Sequence, residues 1–192
     1  MAEELPLVVR LLLDDLNKII EKVNATDRSK VTYLVSPSEV DWLLRAVSMK
    51  EREKWAKDFF KPGAEGKKEF YQKLDALSTS CARNIPTFIP DPSNFISHND
   101  AYEAAMKKAL PDITKTKVHQ IGFAQQEWDI QEDNQHVPLK RSMIGYIWGK
   151  NSADDFSYCR LYQIKITQDY VSGGKYGESK ALFLESWLVG CK

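Results

Sequence analysis

Phe156 to Gln168 (FSYCRLYQIKITQ) and Lys180 to Cys191 (KALFLESWLVGC) decide the fold. Both stretches are rich in β-branched, aromatic and aliphatic residues set against polar ones at a period near two, the pattern of strands buried on one face. Between them runs Gln168-Asp169-Tyr170-Val171-Ser172-Gly173-Gly174-Lys175-Tyr176-Gly177, a polar link with three glycines and two tyrosines. So short a link joins antiparallel neighbours, because parallel strands need a crossover of about a dozen residues or more.

Working upstream, Val118 to Ile130 and Lys140 to Trp148 have the same β-prone composition, with polar turns between. The four runs together predict an antiparallel meander over residues 115–192. Opposing Lys165 to Glu185 also opposes Cys159 to Cys191, two chemically sensible cross-strand pairs in one register. That register puts Phe156, Tyr158, Tyr162, Ile164 and Ile166 on an inner face with Leu182, Leu184 and Leu188. It leaves Phe183 and Trp187 on the outer face. In the preceding hairpin, Trp148 is expected opposite Phe156 and Tyr146 opposite Tyr158.

The period changes to three or four before residue 112. Leu7, Leu11, Leu12, Leu16, Ile19, Ile20 and Val23 form one helical stripe behind Pro6, and Asn24 to Asp27 breaks it. Val31 to Val35 is a short β-prone run. Ser36 or Ser38 can cap a further helix with Val40, Leu43, Leu44 and Val47 inside, continued by Ser48 to Phe60 with Trp55, Phe59 and Phe60. Lys61-Pro62-Gly63 stops it. Glu65 to Ile85 reads as a helix burying Phe70, Leu74, Leu77 and Cys81, and the prolines of Asn84 to Asn94 make a connector. A last helix, about Asn99 to Leu110, carries Asn99 or Asp100 as its cap and a thin inner face of Ala101, Ala104, Ala105, Ala109 and Leu110.

Helices followed by a meander define an α+β class: about four helices (residues 1–112) packed on a four-stranded antiparallel sheet within one domain, 1–192. The layout resembles the cone-like arrangement of nuclear-transport-factor-like or cystatin-like proteins. That likeness concerns layout alone and implies neither binding nor catalysis.

Composition excludes several roles. The 27 basic and 27 acidic residues cancel, so there is no field to draw in a nucleic-acid backbone. No run approaches the ~20 apolar residues of a membrane-spanning helix, so no membrane insertion is expected. Met1-Ala2-Glu3-Glu4 is acidic where a secretory signal is basic, and no small-residue cleavage site follows Leu7 to Leu13. Taken as a native start, this places the chain in the cytoplasm; taken as a mature boundary, in the periplasm or outside the cell.

Cys81, Cys159 and Cys191 lack metal-knuckle or redox-pair spacing, and none of His98, His119 or His136 lies close to a cysteine in sequence. No metal and no cofactor is expected, while Cys159 and Cys191 could join in a disulfide. The Gly-Tyr link lacks a phosphate-loop pattern.

These residues favour a non-catalytic binding protein. Its contacts are expected from Trp128, Tyr146, Trp148, Tyr170, Tyr176 and Trp187, toward a protein partner, a small apolar ligand or a second copy in a homodimer. The alternative is a small-cavity isomerase, dehydratase or hydrolase. It would use His119 or His136 with a carboxylate from Glu127, Asp129, Glu132 or Asp133 as acid and base. Ser78, Ser80 and Cys81 sit in no nucleophile elbow.

Overall fold

The computed structural model describes residues 7–25, 48, 50, 52–54, 66–87, 89–110 and 113–191. Val31 to Val35, the helix expected from Ser36 to Val47, and Trp55, Phe59 and Phe60 lie outside these residues. The class is α+β with an antiparallel sheet. The chain divides into two compact units, Met1–Phe88 with Asp154–Tyr158, and Ile89–Ala153 with Cys159–Lys192.

In the first unit, α1 (Leu7–Ala25) packs against α2 (Lys67–Asn84). Leu13, Leu16, Ile19 and Val23 of α1 are buried, whereas Leu7 and Leu11 at the head of the expected stripe are exposed. Phe70, Leu74, Leu77 and Cys81 recur every three or four residues along α2, and all are fully buried. The Arg83 guanidinium donates to Asn24 Oδ1 at 2.7 Å, and Arg52 pairs with Asp75 at 2.6 Å and donates to the Leu74 carbonyl. Residues 154–158 are held in this unit by the Asp155 carboxylate, which accepts from the Lys50 amide at 3.1 Å.

Burial pushes the Cys81 thiol up from 9.0 to about 12, and burial likewise raises the Tyr158 hydroxyl, with Cys81 adding to it. A raised thiol contributes stability that is complete below about pH 9 and is lost as pH climbs toward 12. A thiol reagent at neutral pH is expected to leave Cys81 unmodified in the native protein and to label it once the chain is unfolded in denaturant. Stoichiometric labelling of the native chain would contradict the burial.

The second unit holds α3 (Asp100–Ala109) and six strands: β1 (Thr116–Phe123), β2 (Asp129–Glu132), β3 (Pro138–Asn151), β4 (Cys159–Ser172), β5 (Lys175–Tyr176) and β6 (Lys180–Val189). β1 and β2 both pair with β3, β3 with β4, and β5 and β6 with β4, every pairing antiparallel. The four expected runs supply the four columns of the sheet: the first is divided into β1 and β2, and the fourth column holds β6 together with β5, which comes from the link ahead of it. The first divides because the chain leaves β3 after Phe123. There the Gln125 side chain takes over as partner, accepting from the Ile144 amide at 3.3 Å.

Asn99 caps α3 by accepting from the Tyr102 amide at 3.1 Å. The buried anchor of this helix is Met106 rather than the alanine stripe. Met106 and Leu110 meet Phe123, Met143, Ile147, Tyr162, Ile164 and Ile166 to form the core of this unit. Ala101 and Ala104 are exposed and line an open groove of about 330 Å³ with Ser179 and Ala181.

Both expected registers are corrected. Tyr146 faces Gln163 and Trp148 faces Leu161, because Phe156 and Tyr158 leave the sheet and belong to the first unit. Across β4 and β6, Lys165 faces Leu182, Glu185 faces Gln163 and Cys159 faces Val189. A bulge at Gln163/Ile164 reverses which side chains of β6 point inward beyond it. Phe183 consequently packs on the core with an edge contact to Tyr162, while Leu182 and Leu184, expected inside, are 61% and 41% exposed. The ion pair that does form is Lys180 with Asp169 at 2.6 Å, which holds the carboxyl below its usual range.

β1 leaves no room for a side chain at Gly149 of β3. A Cβ there would stand 2.7 Å from the Lys117 carbonyl oxygen and 3.2 Å from the Val118 Cα, both backbone atoms unable to swing aside. Gly149→Ala is expected to destabilise the protein by about 1–3 kcal/mol through forced separation of the strands, read as a lowered urea midpoint. An unchanged midpoint would mean that β1 gives way freely.

Candidate functional site

The polar link between the last two long strands is a tight hairpin rather than a long loop. β4 continues to Ser172 and returns as β5 through Gly173 (φ 57°) and Gly174 (φ 76°), the two positive-φ positions of a two-residue turn. Ser172 thereby faces Lys175, and Tyr170 faces Tyr176 with ring centroids 5.5 Å apart and nearly perpendicular. The Tyr170 hydroxyl accepts from the Gly174 amide at 3.2 Å.

Arg141 of β3 connects this hairpin to the other edge of the sheet. Its guanidinium carbon lies 4.4 Å from the Trp128 ring centroid and 4.1 Å from that of Tyr176. Such contacts contribute about 0.5–1 kcal/mol each at partly exposed positions. Gln168, facing Arg141 across the strands, is buried and fully engaged. Its Oε1 accepts from Arg141 Nε at 2.8 Å, and its Nε2 donates to the Gly177 carbonyl and to Ser179 Oγ, each at 3.1 Å. At the far end Trp128 meets the Tyr102 ring edge-on at 5.2 Å. The result is a row, Tyr102, Trp128, Arg141, Tyr176, Tyr170, that extends the α3-covered core face toward the rim. Beside it Ile130, which faces Arg141, is 53% exposed, and Val171 next to Tyr170 is 66% exposed.

The structure thus brings Trp128, Tyr170 and Tyr176 together, and places Tyr146, Trp148 and Trp187 elsewhere. Those three are nearly or fully buried. Tyr146 receives the Gln163 amide at 2.7 Å on its hydroxyl and the edge of Phe95 on its ring. Trp148 donates from Nε1 to the Gly190 carbonyl at 3.1 Å. Arg141 and Gln168 escaped the sequence reading, since each is an ordinary polar residue in a strand until its cross-strand partner is known.

A second cluster surrounds Trp148. His119 stands at the bulge of β1, with its ring 5.6 Å from the indole. Its ligating nitrogen and the sulfurs of Cys159 and Cys191 all lie within 4.8 Å of one another. Cys159 and Cys191 are joined as a disulfide, Cα atoms 5.1 Å apart, although in the strand register Cys159 faces Val189. Cys191 lies past the end of β6 and reaches back diagonally.

The two histidine–carboxylate contacts are elsewhere: His98 with Glu103 at 2.9 Å, and His136 with Glu132 at 3.2 Å on a solvent-facing turn. His136 itself has φ 60°, in a turn where Asp133 Oδ1 accepts from the Gln135 and Val137 amides. Asp129 opens β2 and Glu127 precedes it, and both are exposed. No helix among the described residues is long and apolar enough to cross a membrane.

Compared with known proteins, the chain matches no family model, no curated protein and no solved structure.

Proposed function

We propose that this chain is a non-catalytic binding module whose recognition surface is the rim row Trp128, Arg141, Tyr176 and Tyr170, and that its ligand is a segment of a partner protein. The observation that carries this reading is the arginine held over two aromatic rings. Tryptophan, tyrosine and arginine supply most hot spots in protein interfaces, where rigid anchors lose little entropy on binding. Arg141 is already oriented by Gln168, and exposed Ile130, which faces it on β2, adds apolar area beside it. Guanidinium stacked on rings favours a partner that offers a carboxylate next to an apolar side chain.

The test is quantitative capture. Wild-type protein, Arg141→Ala, Tyr176→Ala and a control at Lys68 on α2 are each used as bait, and bound proteins are compared by mass spectrometry. A true partner is expected to weaken by roughly 30-fold with either rim substitution, matching about 2 kcal/mol for a hot spot, and to be unaffected by the control. A set of captured proteins indifferent to Arg141 and Tyr176 would refute the rim. A partner identified as the same chain would make it a homodimer contact, visible as a concentration-dependent mass in sedimentation.

A further inference from the structure

We infer that His119, Cys159 and Cys191 form a zinc site when the Cys159–Cys191 disulfide is reduced, so that disulfide and metal are alternative states of one place in the fold. The three residue types are the borderline-soft donors that zinc prefers, and their ligating atoms already converge within 4.8 Å. Zinc–sulfur bonds of about 2.3 Å and zinc–nitrogen bonds of about 2.0–2.1 Å, set tetrahedrally, separate neighbouring ligand atoms by roughly 3.5–3.8 Å. Reaching that spacing needs shifts of about an ångström, on the scale of side-chain rotation.

The scaffold supplies both the fixed and the movable partners. Cys159 begins the central strand β4 and is fully buried, and His119 is set by the β1 bulge and seated against Trp148. Cys191 follows Gly190 beyond the end of β6 and reaches solvent, so its sulfur is the one able to move. Trp148 bonds the Gly190 carbonyl and keeps that segment in place after the disulfide opens. Two thiolates neutralise the charge of a divalent zinc ion, which suits a partly buried site, and the fourth position is left to water.

The interconversion balances. A dithiol reductant gives two electrons to the S–S bond and becomes a cyclic disulfide. Its two protons end on Cys159 and Cys191. Zinc then displaces those protons to solvent and takes one nitrogen of neutral His119. In the reverse direction a disulfide oxidant takes two electrons from the two thiolates and, with two protons from solvent, becomes a dithiol, while the S–S bond closes and the zinc ion leaves to solvent.

The experiment is a cobalt(II) titration of the full chain, anaerobically, with and without prior reduction by a phosphine, followed by displacement with zinc. Reduced protein is expected to bind one equivalent with thiolate-to-cobalt charge-transfer and tetrahedral ligand-field bands, and oxidised protein none. Removing a ligand should cost at least as much as losing a supporting residue, so His119→Ala is expected to weaken binding by about tenfold or more. His119→Gln serves if the alanine variant fails to fold. Repeating the titration in Cys81→Ala excludes the buried third thiol. The inference is overturned if the reduced protein gives no thiolate band, if the band survives unweakened without His119, or if it disappears with Cys81.

Discussion

Trp148→Ala is expected to lower the stability of the sheet-bearing unit by about 3–5 kcal/mol, the cost of truncating a large, fully buried aromatic side chain. Trp148 is 1% exposed and is the largest of the fully buried side chains among the described residues. Its loss opens a cavity opposite Leu161, removes the indole that donates to Gly190, and leaves that carbonyl short of a partner. Trp148→Phe keeps most of the apolar volume and loses the N–H, so it is expected to fall between wild type and alanine. Urea unfolding followed by far-ultraviolet circular dichroism measures all three. A Trp148→Ala midpoint within about 1 kcal/mol of wild type would show that the pocket closes without cost.

The second large effect is expected from the disulfide. Cys159 and Cys191 are 32 residues apart, and closing a loop of that size removes unfolded-state entropy equivalent to about 3–4 kcal/mol. Reducing the protein, or replacing both cysteines by alanine, is expected to lower stability by that amount. Adding reductant to the double variant should change nothing. If oxidised and reduced wild type unfold at the same urea concentration, the bond contributes nothing to this fold. In the reduced protein, a zinc-dependent rise in the melting temperature would return part of the loss, because a metal bound only to the native state shifts the equilibrium toward it.

Period and composition carried the coarse architecture. The step from a three-to-four period before residue 112 to a two-residue period after 115 is visible in the letters, and so are the burial of Phe70, Leu74, Leu77 and Cys81 and the Asn99 cap. These features depend on neighbours within one or two turns of the same element. Register was not visible, and for a definite reason. Lys165 opposite Glu185 is a plausible pair, yet a two-residue offset of β6 set Glu185 opposite Gln163, and a bulge after Gln163 then exchanged the faces of Leu182 and Phe183. A bulge leaves little mark in the sequence, while its energy comes from packing across strands.

The glycines between Asp169 and Gly177 show the same boundary. Two adjacent glycines announce a turn, but only the pairing of Ser172 with Lys175 made it a two-residue hairpin and set Tyr176 beside Arg141. Likewise His119 and Cys159 are 40 positions apart, too far for any spacing rule, and β1, β3 and β4 carry them to one place. By itself, then, the sequence determined α1, α2 and α3, the antiparallel class of the sheet and most of the buried α2 stripe, because these follow from local periodicity and steric preference. The tertiary structure decided which strands slip, which aromatics reach the rim and which sulfurs and nitrogens converge, because those outcomes depend on contacts between residues far apart in the chain.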